Sequence, residues 1–254
     1  MRAAALMLML ALALAACGNV NNGRLQDWVE ADFVFVGPDE AGRVETLSVR
    51  EGDQVTAGAP LFAVDGDLQQ ADLQTQEAAV KNAQQAYDRA VALLKTSAGT
   101  QKALEDAEAA LRTAQARLNS SQTRLTRRKV FSPVTGTVQQ VYYRPGEMVP
   151  AGRPVVSLLP PGNIKVRFFI AETALAKVAL GDTVQVACDG CPPIAARVSF
   201  IARAAEYTPP VIYSLEERNK LVFMVEARTD TPGALRVGQP VSVTLPGAVA
   251  EAKK

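Results

Sequence analysis

Histidine is absent from the sequence. The commonest general base and the commonest metal ligand are therefore missing, which argues against hydrolytic and zinc chemistry. Aromatic residues make up only 6% of the 254 residues, too few for a surface on which nucleic-acid bases stack. Charge of neither sign dominates: 27 Lys and Arg stand against 26 Asp and Glu, and a net charge of +1 gives no field to recruit nucleic acid or an acidic substrate. Cysteine occurs three times. After one apolar run at the N-terminus, no stretch is long and apolar enough to cross a bilayer. What remains is a chain 48% hydrophobic, enough for buried cores in one large domain or two to three small ones.

The N-terminal run has the layout of a signal peptide over residues 1–16: Arg2 as a short positive start, apolar residues from Ala3 to Leu14, and small Ala15-Ala16 before Cys17. Leu14-Ala15-Ala16-Cys17 resembles the lipobox of bacterial lipoproteins, in which cleavage leaves the cysteine as a lipidated N-terminus. Lipidation at Cys17 is the expectation, with a soluble body on an acyl anchor; ordinary secretion with cleavage near Ala16 is the alternative. Residues 17–30 read as a tether, because Gly18 to Arg24 carries three Asn and two Gly. A strand-like pattern starts at Trp28.

Leu73, Val80, Tyr87 and Leu94 recur every seven residues, and so do Leu104, Leu111, Leu118 and Leu125. Sustained apolar heptads mark helices that bury a narrow seam against one another. The two series mirror each other about Gly99, so a reversal there pairs 73 with 125, 80 with 118, 87 with 111 and 94 with 104. Residues 66–130 thus predict an antiparallel coiled-coil hairpin, with Gly99 as the residue to take the positive φ of the reversal. Ala83, Ala90, Ala107, Ala114 and Ser121 complete the seam. Such small residues bury little, and the hairpin is expected to need its base and neighbouring subunits for support.

The hairpin interrupts a repeat. Gly42, Val44, Arg50, Gly52, Val55, Ala57, Gly58 and Pro60 recur 94 residues later as Gly136, Val138, Arg144, Gly146, Val149, Ala151, Gly152 and Pro154. Each copy reads as short β-branched strands broken by glycine turns, and half a sandwich cannot bury its own face. The copies at 31–65 and 131–160 are therefore two halves of one β domain. They resemble the halves of a biotinyl/lipoyl domain, and a helical hairpin between them resembles the HlyD-type periplasmic adaptors, or membrane fusion proteins. True lipoyl carriers hold their cofactor on a lysine at the turn joining the halves. Here Val64-Asp65-Gly66-Asp67 runs into helix without one, so a carrier or enzyme subunit is the lesser reading and no cofactor or metal is expected.

Residues 161–246 predict a small β-barrel: strands at Ile164 to Ile170, Thr183 to Cys188, Ala195 to Ile201, Leu221 to Ala227 and Pro240 to Leu245, with a short helix from Glu172 to Val178. This also resembles the adaptors' barrel, including Pro209-Pro210-Val211-Ile212-Tyr213-Ser214 and Lys220-Leu221-Val222-Phe223. Residues 247–254 read as a tail. The fold class is mixed and mainly β: a split lipoyl-like domain with an inserted helical hairpin, then a barrel. The resemblance implies a non-enzymatic periplasmic adaptor of an efflux or secretion system, self-associated into a ring. It would bridge an inner-membrane exporter to a TolC-like outer-membrane channel. Adaptors of RND pumps usually continue past the barrel, so an ABC-type exporter is favoured and an RND pump is the alternative. Anchoring at the inner membrane is favoured, although Gly18 and not an aspartate follows Cys17.

Adaptors that dock a TolC-like channel carry an arginine, a leucine four later and a serine seven after that. Arg89, Leu93 and Thr100 stand at that spacing, and heptad position puts Arg89 and Leu93 on one face away from the seam. The residues admit other roles: an Arg89 paired with neighbouring Asp88 or simply solvated, a core-widening Leu93 and a Thr100 that caps the second helix. The basic run Arg124, Arg127, Arg128 and Lys129 reads as complementing a helix C-terminus, with Asp67 and Asp72 alongside. Cys188-Asp189-Gly190-Cys191 reads as a two-residue hairpin turn spanned by a possible disulfide, with free thiols or redox chemistry as alternatives. Two further ligands would be needed for a metal.

Overall fold

The computed structural model describes residues 24–207, 221–231 and 233–245. The expected signal peptide, Cys17, the Pro209 to Ser214 and Lys220 motifs and the 247–254 tail lie outside them. The chain divides into two compact units, residues 33–160 and the pairing of the N-terminal segment to Asp32 with residues from Pro161 onward.

The first described element corrects the sequence reading. Strand β1 (Arg24–Ala31) occupies the second half of the expected tether and belongs to the barrel. Its pairing is with strands more than 130 residues away, which no local composition announces.

The unit from Phe33 to Pro160 contains β2 (Val34–Val36), β3 (Gly42–Leu47), β4 (Gln54–Val55), β5 (Pro60–Val64), α1 (Asp67–Lys95), α2 (Gln101–Thr126), β6 (Lys129–Phe131), β7 (Gly136–Val141), β8 (Met148–Val149) and β9 (Val156–Leu159). The 94-residue repeat is visible in the backbone: β3 and β4 shifted by 94 land on β7 and β8. The short strand of each half pairs with the long strand of the other, Val55 opposite Gly136 and Gln54 opposite Thr137 matching Val149 opposite Gly42 and Met148 opposite Arg43. Even the β-bulges correspond, between Val44 and Thr46 and between Val138 and Gln140. The halves are interlocked, so neither sheet, β2-β9-β7-β4 or β6-β5-β3-β8, can form without both. One core results, in which Val44, Val55, Leu61, Phe62 and Val64 sit with their repeat mates Val138, Val149, Val155, Val156 and Leu158.

Helices α1 and α2 leave this domain between β5 and β6. Every expected seam residue is shielded at least in part, and Ala114 and Ser121 are buried. α1 has no fully buried residue, as befits one helix of a two-stranded pair. At the hairpin base the basic run closes the last turn of α2 as expected, with Arg124 near enough to Asp72 to favour its charged form, and it also pairs with carboxylates between β2 and β3. Arg127 pairs with Asp39 at 3.1 Å, Arg128 with Glu40 at 3.2 Å, and Arg124 approaches Glu40 at 3.9 Å. No ion pair to Asp67 or Asp72 is formed among the described residues. Gly42 leaves room for the Arg128 guanidinium: a Cβ there would lie 3.0 Å from its Nη1 and 3.2 Å from Val64 Cβ. Arg128 is buried and also donates from Nη1 to the Ala41 carbonyl at 3.0 Å.

The second unit adds β10 (Ile164–Ala171), α3 (Glu172–Leu175), β11 (Thr183–Ala187), β12 (Ile194–Ile201), β13 (Glu206–Tyr207), β14 (Leu221–Thr229) and β15 (Pro240–Thr244). Six strands close in the order β10-β1-β15-β11-β12-β14, with β14 returning to β10 and β13 extending the edge of β14. Alternation fills the interior with Val29, Val166, Phe168, Ile170, Val184, Val186, Val198, Val225, Val241 and Val243. The sequence reading found five of these strands; β1 is the sixth that closes the wall.

The Cys188-to-Cys191 turn is longer than expected. Register between β11 and β12 ends at Val186 opposite Ile194, because Pro192 and Pro193 have no N–H to continue the ladder. Only Gly190 takes a positive φ, 78°, so the turn is not the two-residue hairpin type that needs two such residues.

Candidate functional site

The site is built where α1 gives way to α2. α1 ends in a Schellman arrangement: the Ala98 N–H donates to the Leu93 carbonyl at 2.9 Å and the Ser97 N–H to the Leu94 carbonyl at 3.1 Å. The residue in the left-handed conformation is Ser97, φ 60°, not Gly99. Gly99 serves a different need. A Cβ there would lie 3.0 Å from the Leu94 nitrogen and 3.1 Å from Leu93 Cβ, so its role is close approach to the end of α1. Its own N–H joins the Leu93 carbonyl at 3.0 Å.

This cap fixes the three candidate residues. Leu93 carries the carbonyl on which the reversal converges, while its side chain is 50% exposed. Arg89, one turn earlier on the same face, is exposed and makes no ion pair among the described residues. Its neighbour Asp88 instead accepts from the Gln84 amide at 2.9 Å. Thr100 opens α2 as its N-cap, its hydroxyl accepting from the Ala103 N–H at 3.2 Å. Arg89 and Leu93 therefore form one presented surface, and Thr100 stands beside it with its acceptor role committed to the helix. Sequence reasoning missed Ser97, for which no signal exists beyond the tolerance of serine in turns.

α1 spans 29 residues, about 44 Å at 1.5 Å per residue, from the β domain to this tip. At the other end, a cleft of about 410 Å³ is lined by Asp39, Glu40, Ser120, Arg124, Arg127 and Arg128, the ion pairs that fasten the hairpin base. Elsewhere, Cys188 and Cys191 face each other with Cα atoms 5.3 Å apart, within the span of a disulfide. Among the described residues there is no cluster of three or more cysteine, aspartate or glutamate side chains placed to hold a metal, and no helix is long and apolar enough to cross a membrane.

Curated relatives include a UPF0194 membrane protein from Acidithiobacillus ferridurans, 34% identical over 48% of this chain and 37% of its own length. A UPF0194 membrane protein from Yersinia pestis is 30% identical over 46% of this chain and 37% of its own. The chain thus matches well under half the length of these relatives. Among solved structures, the membrane fusion protein Spr0693 from Streptococcus pneumoniae superposes with a TM-score of 0.68 at 20% identity, covering 87% of this chain and 97% of that one. A MacA-MexA chimera carrying the Pseudomonas aeruginosa MexA α-hairpin domain reaches 0.72 at 22% identity, over 87% and 76%. At such identities the likeness is one of fold: split β domain, hairpin and barrel. The family model for the RND membrane fusion protein barrel-sandwich hybrid domain matches residues 32–159, the split domain with its hairpin. With half of its length matched by that model, the chain belongs to the membrane fusion protein family.

Proposed function

We propose that the protein is a non-enzymatic periplasmic adaptor that joins an inner-membrane exporter to a TolC-like outer-membrane channel. The observation that carries this reading is a long hairpin, fastened at its base to an interlocked β domain, that ends in a half-exposed leucine and, on the same face, an exposed arginine with no ion pair among the described residues. A domain whose two halves require each other holds both ends of the hairpin at fixed separation, so the tip is delivered at a set reach. In this reading Arg89 and Leu93 touch the channel and Thr100 holds the tip in shape. Copies associate into a ring, Cys17 carries the lipid anchor at the inner membrane, and Cys188 and Cys191 form a disulfide in an oxidising compartment.

The sequence resemblance favours an ABC-type exporter as partner. One observation favours a second reading, an RND pump: the matching family model is described for RND membrane fusion proteins. Isolating the full chain from cross-linked cell envelopes, with mass spectrometry of the captured membrane proteins, tests the proposal. Recovery of an ABC exporter supports the first partner and of an RND pump the second. Recovery of neither, with the chain itself abundant, contradicts the adaptor role.

A further inference from the structure

Among the described residues, the barrel wall contains one buried carboxyl group that packing does not require. β1 pairs with β10 from Ala31 opposite Ile164 to Trp28 opposite Arg167, and there that ladder stops. On its other side β1 continues beside β15, Asp27 opposite Val241 and Arg24 opposite Thr244. The strand therefore parts from β10 over its first four residues while keeping β15. Asp27 stands at the parting, 8% exposed, and its Oδ2 accepts from the Phe169 N–H at 3.3 Å. An apolar residue here would leave that N–H without this partner.

Among the described side chains, none offers the carboxylate a counter-charge. Facing the interior beside it are Val29 on β1, Val166 and Phe168 on β10, and Val241 and Val243 on β15. Of the charged residues of these strands whose side chains are described, Glu30, Lys165 and Arg167 alternate to the outer face. There Arg167 joins Glu30 at 2.9 Å, and both Arg167 and Lys165 reach Glu226 of β14, at 3.2 and 3.0 Å. β15 contributes no ionisable side chain.

We propose that Asp27 is a proton-operated latch on the N-terminal strand: as a neutral carboxylic acid it closes the parting between β1 and β10, and on losing its proton it releases the first residues of β1. Burial pushes its pKa up to about 7, against which the Phe169 N–H pulls weakly downward. In an opened strand the group returns to the ordinary value near 3.8. The closed state thus holds the proton more tightly, so closure is strongest at acid pH and is lost as pH rises from about 4 to about 7. Between pH 5.5 and 8.5 that linkage lowers the closed-to-open ratio about thirtyfold. The protein gains a pH-graded slackness between its barrel and the segment that precedes β1.

The test is amide hydrogen exchange of Phe169 and of Leu25 to Trp28 in the full chain, corrected for the intrinsic rate, from pH 5.5 to 8.5. The expected result is a fall in protection of at least tenfold in the native chain and no such fall in Asp27→Asn, whose amide keeps the acceptor and cannot ionise. Protection that does not change with pH in the native chain, or the same fall in Asp27→Asn, overturns the proposal. A carboxyl carbon-13 titration of the native chain provides a check independent of the variant. A midpoint for Asp27 near neutrality supports the latch, and one below pH 5 overturns it.

Discussion

Replacing Arg128 tests how the hairpin is held, and the structure allows the cost to be worked out. Its side chain is only 10% exposed and donates to Glu40 Oε2 at 3.2 Å and to the Ala41 carbonyl at 3.0 Å. Hydrogen bonds to a charged group contribute about 1.5–3 kcal/mol each. Glu40 is 47% exposed, so water compensates it when its partner is lost, and the penalty of about 3–5 kcal/mol for stranding a buried charge does not apply. Arg128 also bears its own burial, with Nε lacking a partner, which an apolar replacement relieves. Arg128→Met, which retains most of the stem against Gly42 and Gly66, should therefore destabilise by about 1–2 kcal/mol. Arg128→Ala also gives up the stem that Met keeps beyond Cβ, the equivalent of about two buried methylenes at roughly 0.8 kcal/mol each, and should reach about 3 kcal/mol. Urea unfolding followed at 222 nm reads this, because helices of 29 and 26 residues outweigh the four residues of α3. A midpoint for Arg128→Ala that matches the native chain refutes the clamp. Equal losses for the two variants refute the division between charge and stem.

The tip offers opposite expectations at adjacent residues: Ser97→Gly should stabilise by about 1 kcal/mol by relieving a left-handed serine, whereas Gly99→Ala should destabilise because its Cβ meets backbone of α1. Thermal melts at 222 nm compare the two, and identical shifts contradict the assigned roles. Leu111→Asp, which puts a charge on the seam, should cost about 3 kcal/mol or more and remove helical signal; the fluorescence of Trp28, the single tryptophan, should still report a folded barrel. Thiol titration of the denatured chain should find no free thiol at Cys188 and Cys191 before reduction and two after it; two before reduction contradict the disulfide.

The parts of this fold legible in the sequence are those where one residue's environment recurs. The heptads exposed the seam because every turn of α2 faces the same partner. The 94-residue repeat exposed the split domain because Gly42 and Gly136, or Val55 and Val149, occupy equivalent ladder positions. What stayed hidden depends on contacts distant in sequence. β1 was masked by a glycine- and asparagine-rich approach and by Asp27, a polar residue at an inward position. The ion pairs of Arg127 and Arg128 reach back 88 residues, to Asp39 and Glu40, whereas the antiparallel pairing of the helices points only to Asp67 and Asp72 at the opening of α1. At the tip, Gly99 stands out in the sequence, but tight approach and positive φ both select glycine and only the backbone distinguishes them. Helical period alone puts Arg89 and Leu93 on a common exposed face, whereas their likeness to a docking surface rests on family resemblance.

Site-specific photo-cross-linking in cells tests the central claim most directly, with the cross-linker replacing Leu93 at the tip and, as a control, Leu111 on the seam. The account predicts a covalent adduct between position 93 and an outer-membrane channel protein, with at most an intramolecular product from position 111. Capture of the channel from position 111 but not from 93, or of no channel from 93 while the chain is folded and abundant, would contradict it.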